Sequence, residues 1–341
     1  MFELKKIELG KQDLSPFFEV PFALDPENHS KEQEEIERNQ LSPKNLFFEH
    51  AEGCAFIILK DGKFKGRIFA SLDHNLVQKQ GEKVGHIGYV CFSHGPEYRQ
   101  LVIEAENWLK EKGATHVHGP MNLNIINGYR LQVSGFKTKP FPGEPRNPSQ
   151  YKDLLKSLGY KVINTWNSWD LPPEFIKLST DYAKQICQNK SLEGIKIRPI
   201  NVEKFEEELA AIYECALESF SLNYGISKIS REEFVQSLLH LKPLMADEFF
   251  HILEEENGQI SGFIMGYKDS PTDPSRIIFH TIAIKQHWQK THAPYLISIP
   301  MGDAVAQTGR PGIGALAKEG KSTYDRLGPP TRSYSMFSKN L

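Results

Sequence analysis

The chain has 341 residues, a formal net charge of −2 at pH 7, 39% hydrophobic residues and 25% charged residues. This length suits roughly two domains of ordinary size, and the composition is typical of a globular protein. The net charge gives no excess of positive charge that would bind nucleic acid, and no apolar run approaches the ~20 residues of a membrane helix. We therefore expect neither nucleic acid nor a membrane as a partner.

The start of the chain, Met1–Lys6, lacks the apolar core and cleavage site of a secretory signal, which predicts a cytoplasmic protein. The four cysteines are far apart and have no CxxC spacing, so we expect reduced thiols rather than a disulfide framework or a zinc site. His116 and His118 share one face of a predicted strand, but no third metal ligand can be named. We therefore predict no metal site.

Alternating apolar residues and turn signals predict the elements of the first half. Asp61-Gly62 marks a hairpin, and apolar residues at helical spacing predict a helix that ends at Gly113. Residues 25–44 are polar and predict an exposed helix or loop. The remaining predictions are strands at 54–59, 64–72, 86–92 and 115–117, a helix over 101–109, a Pro- and Asn-rich segment at 119–147, a helix over 149–157 and a strand at 161–169.

The second half is predicted in the same way. Ser230-Arg231-Glu232-Glu233 has the pattern of a capping box and predicts the start of a helix. The predicted elements are a bridging helix over 181–188, a strand at 195–198, helices over 205–213 and 230–241, and strands at 249–253, 259–267, 277–284 and 333–337.

Three landmarks recur between the halves. The turn and strand at 61–68 recur at 257–264, which is an offset of 196 residues from Gly62 to Gly258. Gly113 and Gly309 have the same offset, whereas the Leu-Gly pairs ending at 159 and 328 are 169 residues apart. Short hairpin turns also recur by chance, since Asx-Gly turns are common. Three landmarks in one order nevertheless favour a duplicated α/β unit whose first copy holds about 27 extra residues.

The order of elements in the second half, a strand, two helices, three antiparallel strands, a helix, a strand, a helix and a final strand, resembles the GNAT (GCN5-related N-acetyltransferase) acyltransferase fold. The whole chain is similar to bacterial proteins of uncharacterised function that carry two GNAT-like domains in tandem. The segments that carry this likeness are Gly119-Pro120, Gly135-Phe136, 147–151, 158–160 and 332–339.

The resemblance implies an α/β (α+β) protein with two tandem GNAT-like folds, each a mixed, mostly antiparallel sheet flanked by helices. The predicted division is a degenerate first domain over 1–172 with the inserted segment 119–147, a linker helix over 173–194, and a second domain over 195–341.

In GNAT proteins a loop of pattern Arg/Gln-x-x-Gly-x-Gly/Ala binds the pyrophosphate of acyl-CoA at a helix start, where free amides and the helix dipole favour phosphate. The matching stretch here is 289–294, in which Gln289 fits, while His292 and Pro294 stand at the glycine positions. The resemblance implies acetyl-CoA or another acyl-CoA as cofactor. The implied cofactor-binding residues are Ile282, Ala283, Ile284, Gln289, Lys290, Thr291, His292 and Ala293.

GNAT chemistry requires a base for the amine, donors for the oxyanion and an acid for the leaving thiolate. The resemblance places Tyr324 as the acid, with aromatic packing as its alternative. His280 is a candidate proton relay, or a structural histidine, and Glu248 is a candidate base, or a solvated carboxylate. The inserted Asn122, Asn124 and Asn127 are candidates for binding a polar substrate at the domain cleft, or they satisfy their own turns.

Two functional hypotheses follow. The first is an N-acyltransferase that moves an acyl group, in the simplest case acetyl, from coenzyme A to a small-molecule or peptide amine. The second is a non-catalytic GNAT-like binding or interaction module whose cofactor loop has degenerated. Because one fold supports many functions, the site has to decide between them.

Overall fold

The structure is a computed structural model that describes residues 2–341 except 77, 79, 94, 189–193, 321–323, 325 and 326. The described helices are α1 (Ser15–Leu24), α2 (Lys31–Gln40), α3 (Glu97–Glu111), α4 (Tyr151–Ser157), α5 (Pro173–Cys187), α6 (Phe205–Phe220), α7 (Arg231–Leu238) and α8 (Ala293–Thr308). None of these helices combines the length and apolar content needed to cross a bilayer.

The strands are β1 (Phe2–Glu8), β2 (Ala51–Lys60), β3 (Lys63–Asp73), β4 (Val84–Phe92), β5 (His116–Gly119), β6 (Leu131–Ser134), β7 (Lys161–Leu171), β8 (Ile195–Pro199), β9 (Phe250–Glu255), β10 (Ile260–Lys268), β11 (Ile277–Ile284), β12 (Gly312–Lys318) and β13 (Arg332–Asn340). They form one sheet in the order β1-β2-β3-β4-β5-β13-β7-β12-β11-β10-β9-β8, and β6 pairs with β13. The pairs β4·β5 and β11·β12 are parallel, and the other pairs are antiparallel.

The last strands of the two halves are exchanged at the centre of this sheet. Strand β7 comes from the first half and pairs with β12, whereas β13 comes from the second half and pairs with β5. The two strands also pair with each other. The sequence led us to expect β7 to finish the first unit, but alternation along a strand fixes which face is buried and not which neighbour it takes. The division at residues 172 and 195 stays a prediction.

Helix α3 shows how the sequence pattern produces the first core. Its apolar stripe packs on β2 and β3, and burying each of these large side chains stabilises the fold by roughly 1.5–3 kcal/mol. The helix ends at Glu111, and Gly113 just beyond it has a left-handed φ of 82°, while Gly309 directly follows α8 with a φ of 64°. Both stops are glycines because the Cβ of other residues disfavours this conformation. The buried stripe comprises Leu101, Val102, Ala105, Trp108 and Leu109.

Several elements differ from the sequence-based expectations. Helix α5 begins at Pro173, where its fixed φ suits the first turn; this is the first residue of the linker helix predicted over 173–194, and it precedes Asp181, where the bridging helix was expected to begin. Strands β1 and β6 and helix α1 were not predicted. Helix α1 lacks a clear polar face, because Phe17, Phe18, Val20 and Pro21 are all buried, so its periodicity is weak.

Candidate functional site

A cleft of about 2060 Å³ is bordered by segments of both halves. Its lining includes residues of the inserted segment, of α2 and the turn before it, of β11, and of helices α5, α6, α7 and α8. Ordinary ligand pockets measure roughly 300–1,000 Å³, so this cleft has room for two substrates or for one long one.

The cleft opens where β11 and β12 separate. The two strands pair in parallel from Ile277 and Gly312 as far as Phe279 and Gly314, and then diverge. Beyond that point β12 continues against β7, with Lys318 opposite Trp166. The separation leaves an apolar strand face open to the cleft, where Ile282 is 49% exposed.

His280 stands at the point of divergence and lines the cleft. It is the extra residue of a bulge in β11, because Met265 pairs with Thr281 and Gly266 pairs with Phe279. Its Nδ1 lies 2.7 Å from Thr281 Oγ1. Burial, together with the charge of Arg130, lowers the pKa of His280 to about 4. The ring is therefore neutral at pH 7.

Tyr324 lines the same cleft and packs against Trp169, with ring centroids 5.9 Å apart. A Cβ added to Gly314 would lie 2.5 Å from the Tyr324 ring, so the ring occupies this position only because residue 314 is glycine. Burial raises the pKa of Tyr324 to about 12. The phenol is therefore protonated at neutral pH and has a proton to donate.

The loop before α8 is internally hydrogen-bonded. Gln289 Nε2 donates to the Ile284 carbonyl at 2.8 Å, and the Ala293 amide donates to Thr291 Oγ1 at 3.1 Å. The Tyr295 amide bonds within the turn, and Pro294 has no N–H. The start of α8 therefore offers a ligand fewer amide donors than a glycine loop does, and a phosphate here would depend on side chains.

The structure brings only some of the predicted cofactor-binding residues to the cleft. Ile282, Gln289 and Thr291 line it. Ala283 and Ile284 are buried in the hydrophobic core. Lys290, His292 and Ala293 belong to the same loop and helix start but are not part of the cleft lining.

The three predicted asparagines all line the cleft, but their side chains organise the loop that carries them. Asn122 Oδ1 accepts the Tyr89 amide at 2.7 Å. Asn124 Oδ1 accepts the amides of Ile126 and Asn127, and Asn127 contacts Gln40. Substrate contact by these residues stays a prediction.

Glu248 does not join the other candidates. It is exposed in a short turn of 3₁₀ helix just before β9 and is not part of the cleft lining. A general base has to reach the proton that it removes, directly or through one water. The structure therefore leaves His280 and Tyr324 as the predicted catalytic residues that share the cleft.

Sequence reasoning missed a cation on the cleft wall. The Arg130 guanidinium lies over the rings of Tyr129 and Trp166, 3.8 Å and 4.6 Å from their centroids, and donates to the Tyr129 hydroxyl. Burial lowers the pKa of Arg130. The signal in the sequence is faint: Tyr129-Arg130 is an aromatic residue and a cation in a segment otherwise rich in Asn, Gly and Pro.

No group of three or more His, Cys, Asp or Glu side chains among the described residues is placed to hold a metal ion. Of the two histidines considered above, His118 Nδ1 lies 2.5 Å from the Tyr224 hydroxyl, and His116 Nδ1 lies 2.8 Å from Thr115 Oγ1.

No protein-family model matches the chain. It is 30% identical over 261 residues to Protein YghO of Escherichia coli (strain K12), covering 76% of this chain and 66% of that protein. It is 26% identical over 234 residues to the bacterial ceramide synthase of Caulobacter vibrioides, covering 66% of this chain and 59% of that protein. The chain thus spans just under two thirds of the length of the first relative and less of the second.

Solved structures share the fold over nearly the whole chain. A probable N-acyltransferase of unknown function from Enterococcus faecalis V583 has a TM-score of 0.58 at 13% identity, covering 100% of this chain and 73% of that one. A tandem GNAT protein from the clavulanic acid pathway has a TM-score of 0.55 at 10% identity, covering 99% and 98%. Saccharomyces cerevisiae N-myristoyltransferase with bound myristoyl-CoA has a TM-score of 0.50 at 14% identity, covering 99% and 79%. The prediction of a GNAT-like α/β fold is confirmed.

Proposed function

We propose that this chain, which has the GNAT-like fold, is an N-acyltransferase that joins an acyl group from acyl-CoA to an amine. The observation that carries the proposal is the divergence of β11 and β12, which opens a large cleft with His280 and Tyr324 on its walls. Acyl transfer needs a proton acceptor and a proton donor at the reacting carbonyl, and these two side chains supply both.

In the proposed reaction the amine nitrogen attacks the thioester carbonyl, and the carbon–sulfur bond breaks. His280 is neutral and accepts the proton of the attacking amine. Tyr324 holds its proton at neutral pH and donates it to the departing thiolate. The strand edge of β11 that β12 leaves unpaired is the place to seek amide donors for the oxyanion.

The cleft favours a fatty acyl chain over acetyl. Apolar side chains of α6, α7 and the turn after α7 line it, and burying each methylene of an acyl chain against them gains about 0.8 kcal/mol. The names of two similar proteins point the same way, because a ceramide is an N-acylated long-chain base and myristoyl-CoA carries a fatty acid. Acetyl-CoA, the donor expected from the sequence, is therefore compared with a fatty acyl-CoA in the binding experiment. The apolar residues are Ile212, Ala216, Leu217, Phe220, Phe234, Leu238, Leu241 and Leu244.

Calorimetry with palmitoyl-CoA and acetyl-CoA tests the donor, and release of free coenzyme A with a panel of primary amines tests the transfer. We expect saturable binding of palmitoyl-CoA, and weaker binding in the double variant Gln289→Ala, Lys290→Glu. A matched control, Gln100→Ala with Lys110→Glu, makes the same changes on exposed α3 and leaves binding unchanged.

If neither thioester binds at near-millimolar concentration, the proposal is wrong and the non-catalytic module predicted as the alternative is favoured. If acetyl-CoA binds as tightly as palmitoyl-CoA, the transferase is supported and the fatty acyl preference is wrong. The cytoplasmic location stays a prediction.

A further inference from the structure

Arg130 is half-buried on the cleft wall and lacks the charged partner that an enclosed cation requires. No carboxylate of the described residues lies within 4.0 Å of its guanidinium, whose one side-chain hydrogen bond partner there is the neutral Tyr129 hydroxyl. Its Nε is enclosed by the protein and has no hydrogen-bond acceptor. Removing an ion from water without an opposite charge costs several kcal/mol, so this arrangement is expensive unless a ligand supplies the charge.

Among the described residues, two arginines are almost fully buried, and both are neutralised, unlike the half-buried Arg130. Arg67 lies 2.8 Å from Glu37 Oε2. Arg332 lies 2.9 Å from Asp170 Oδ1 and 3.3 Å from Glu144 Oε1. Within the part of the chain that the structure describes, the fold therefore provides carboxylates for two guanidinium groups and leaves the third facing the cleft.

Arg130 lines the same cleft as His280, the proposed base. The guanidinium is close enough for its charge to lower the pKa of the imidazole. A ligand anion at Arg130 therefore occupies the same cleft as the imidazole to which the amine must lose its proton.

We propose that the acceptor amine carries a carboxylate, and that Arg130 binds this carboxylate while the amine faces His280. The inference rests on the proposed acyl transfer and narrows its acceptor to the class of amino acids and related amino-carboxylates. A guanidinium suits a carboxylate because its planar fork donates two parallel hydrogen bonds, and aromatic rings over its face keep that fork fixed.

The bound carboxylate also changes the pKa of His280, the proposed base. It neutralises the charge of Arg130, which removes one of the two causes that lower the pKa of His280. The imidazole then binds a proton more firmly when the acceptor is present than when the cleft is empty.

Two product analogues test the proposal without turnover: N-lauroylglycine and N-lauroylglycinamide, which have the same chain and differ in the charged group. We expect the wild-type protein to bind the carboxylate at least about tenfold more tightly than the amide, a ratio typical of a charge-assisted hydrogen-bond pair. In Arg130→Gln the preference disappears, and in Arg130→Lys it is reduced. The control Arg99→Gln keeps it, because Arg99 also stacks on its neighbour, Tyr98, but is exposed on α3.

Unchanged binding of palmitoyl-CoA by Arg130→Gln shows that the variant is folded. Equal affinity of the wild-type protein for the two analogues overturns the proposal. So does a loss of affinity for free coenzyme A in Arg130→Gln, since Arg130 then binds the phosphates of the donor. A protein that prefers the carboxylate but binds no acyl-CoA supports the anion site and contradicts the proposed function, so the two failures are distinguishable.

Discussion

Lys339 Nζ lies 2.7 Å from Glu106 Oε2, so a residue of the last strand neutralises a carboxylate on a helix of the first half. Glu106 is almost fully buried on α3, and it also accepts a hydrogen bond from the Tyr160 hydroxyl at 2.9 Å. The contact exists because β13 pairs with β5. The end of the chain therefore stabilises the core formed by its beginning.

We predict that Lys339→Ala destabilises the protein by about 1–3 kcal/mol, because it leaves the buried Glu106 charge with only a neutral partner. Urea unfolding followed by circular dichroism measures this change. Lys177→Ala is the control, because Lys177 pairs with Asp181 on the surface of α5 and surface pairs contribute little. Equal stability of Lys339→Ala and the wild type would show that the Lys339–Glu106 ion pair does not stabilise the protein.

The local elements could be predicted from sequence because their signals are local. Strand β11 has the predicted bounds 277–284, and the two hairpins occupy the predicted segments. The partners of β7 and β13 could not be predicted, since the side-chain pattern of a strand does not specify its neighbour and either neighbour satisfies its backbone hydrogen bonds.

The candidate site also contains residues that could be predicted from the sequence and residues that could not. Tyr324 and His280 could be proposed because each has a fixed place relative to a recognisable strand or Leu-Gly landmark. Arg130 could not, because its importance depends on Trp166 and His280, which are distant in sequence, and on the lack of a nearby carboxylate among the described residues. Glu248 was selected from a run of charges, and the structure places it on the surface.

We predict that stability falls as the pH rises above neutrality, because His50 bridges two carboxylates. Its Nδ1 and Nε2 lie 2.9 Å from Asp73 Oδ1 and Glu233 Oε2. Burial opposes the charged ring, but the hydrogen bonds and charges of Glu233 and Asp73 outweigh it and raise the pKa of His50. The stabilisation that protonated His50 provides is fully present below the unfolded-state pKa of about 6.5. It is lost as the pH rises through the higher pKa of His50 in the folded protein.

Free energies of unfolding between pH 6 and pH 9 check this prediction. His50→Gln removes the His50 contribution to the decline, whereas His74→Gln, which changes a half-exposed histidine beside Asp73, keeps it. An identical pH dependence in His50→Gln and the wild type would contradict the prediction.

Gly314→Ala should impair catalysis through Tyr324. The new methyl group overlaps the Tyr324 ring, so the ring has to move out of its position against Trp169. We expect kcat to fall about as far as in Tyr324→Phe, by 10²–10⁴-fold if the phenol is the general acid, with acyl-CoA affinity retained. Gly62→Ala is the control for the added methyl group, since a Cβ there meets nothing within 4 Å, and the strain from its left-handed φ of 75° falls in the β2–β3 turn, outside the cleft lining. Full activity of Tyr324→Phe would exclude the phenol as the acid.

The length of the acyl chain should depend on Ala216, whose side chain is buried on the cleft side of α6. Ala216→Leu adds three carbon atoms to the apolar wall, so a long chain loses the space for its last methylenes, each worth about 0.8 kcal/mol. We expect affinity for palmitoyl-CoA to fall about tenfold or more and affinity for octanoyl-CoA to stay the same, as measured by calorimetry. Ala211→Leu makes the same change on the exposed face of α6 and should alter neither affinity. Equal losses for both donors in Ala216→Leu would show that the chain does not reach this wall.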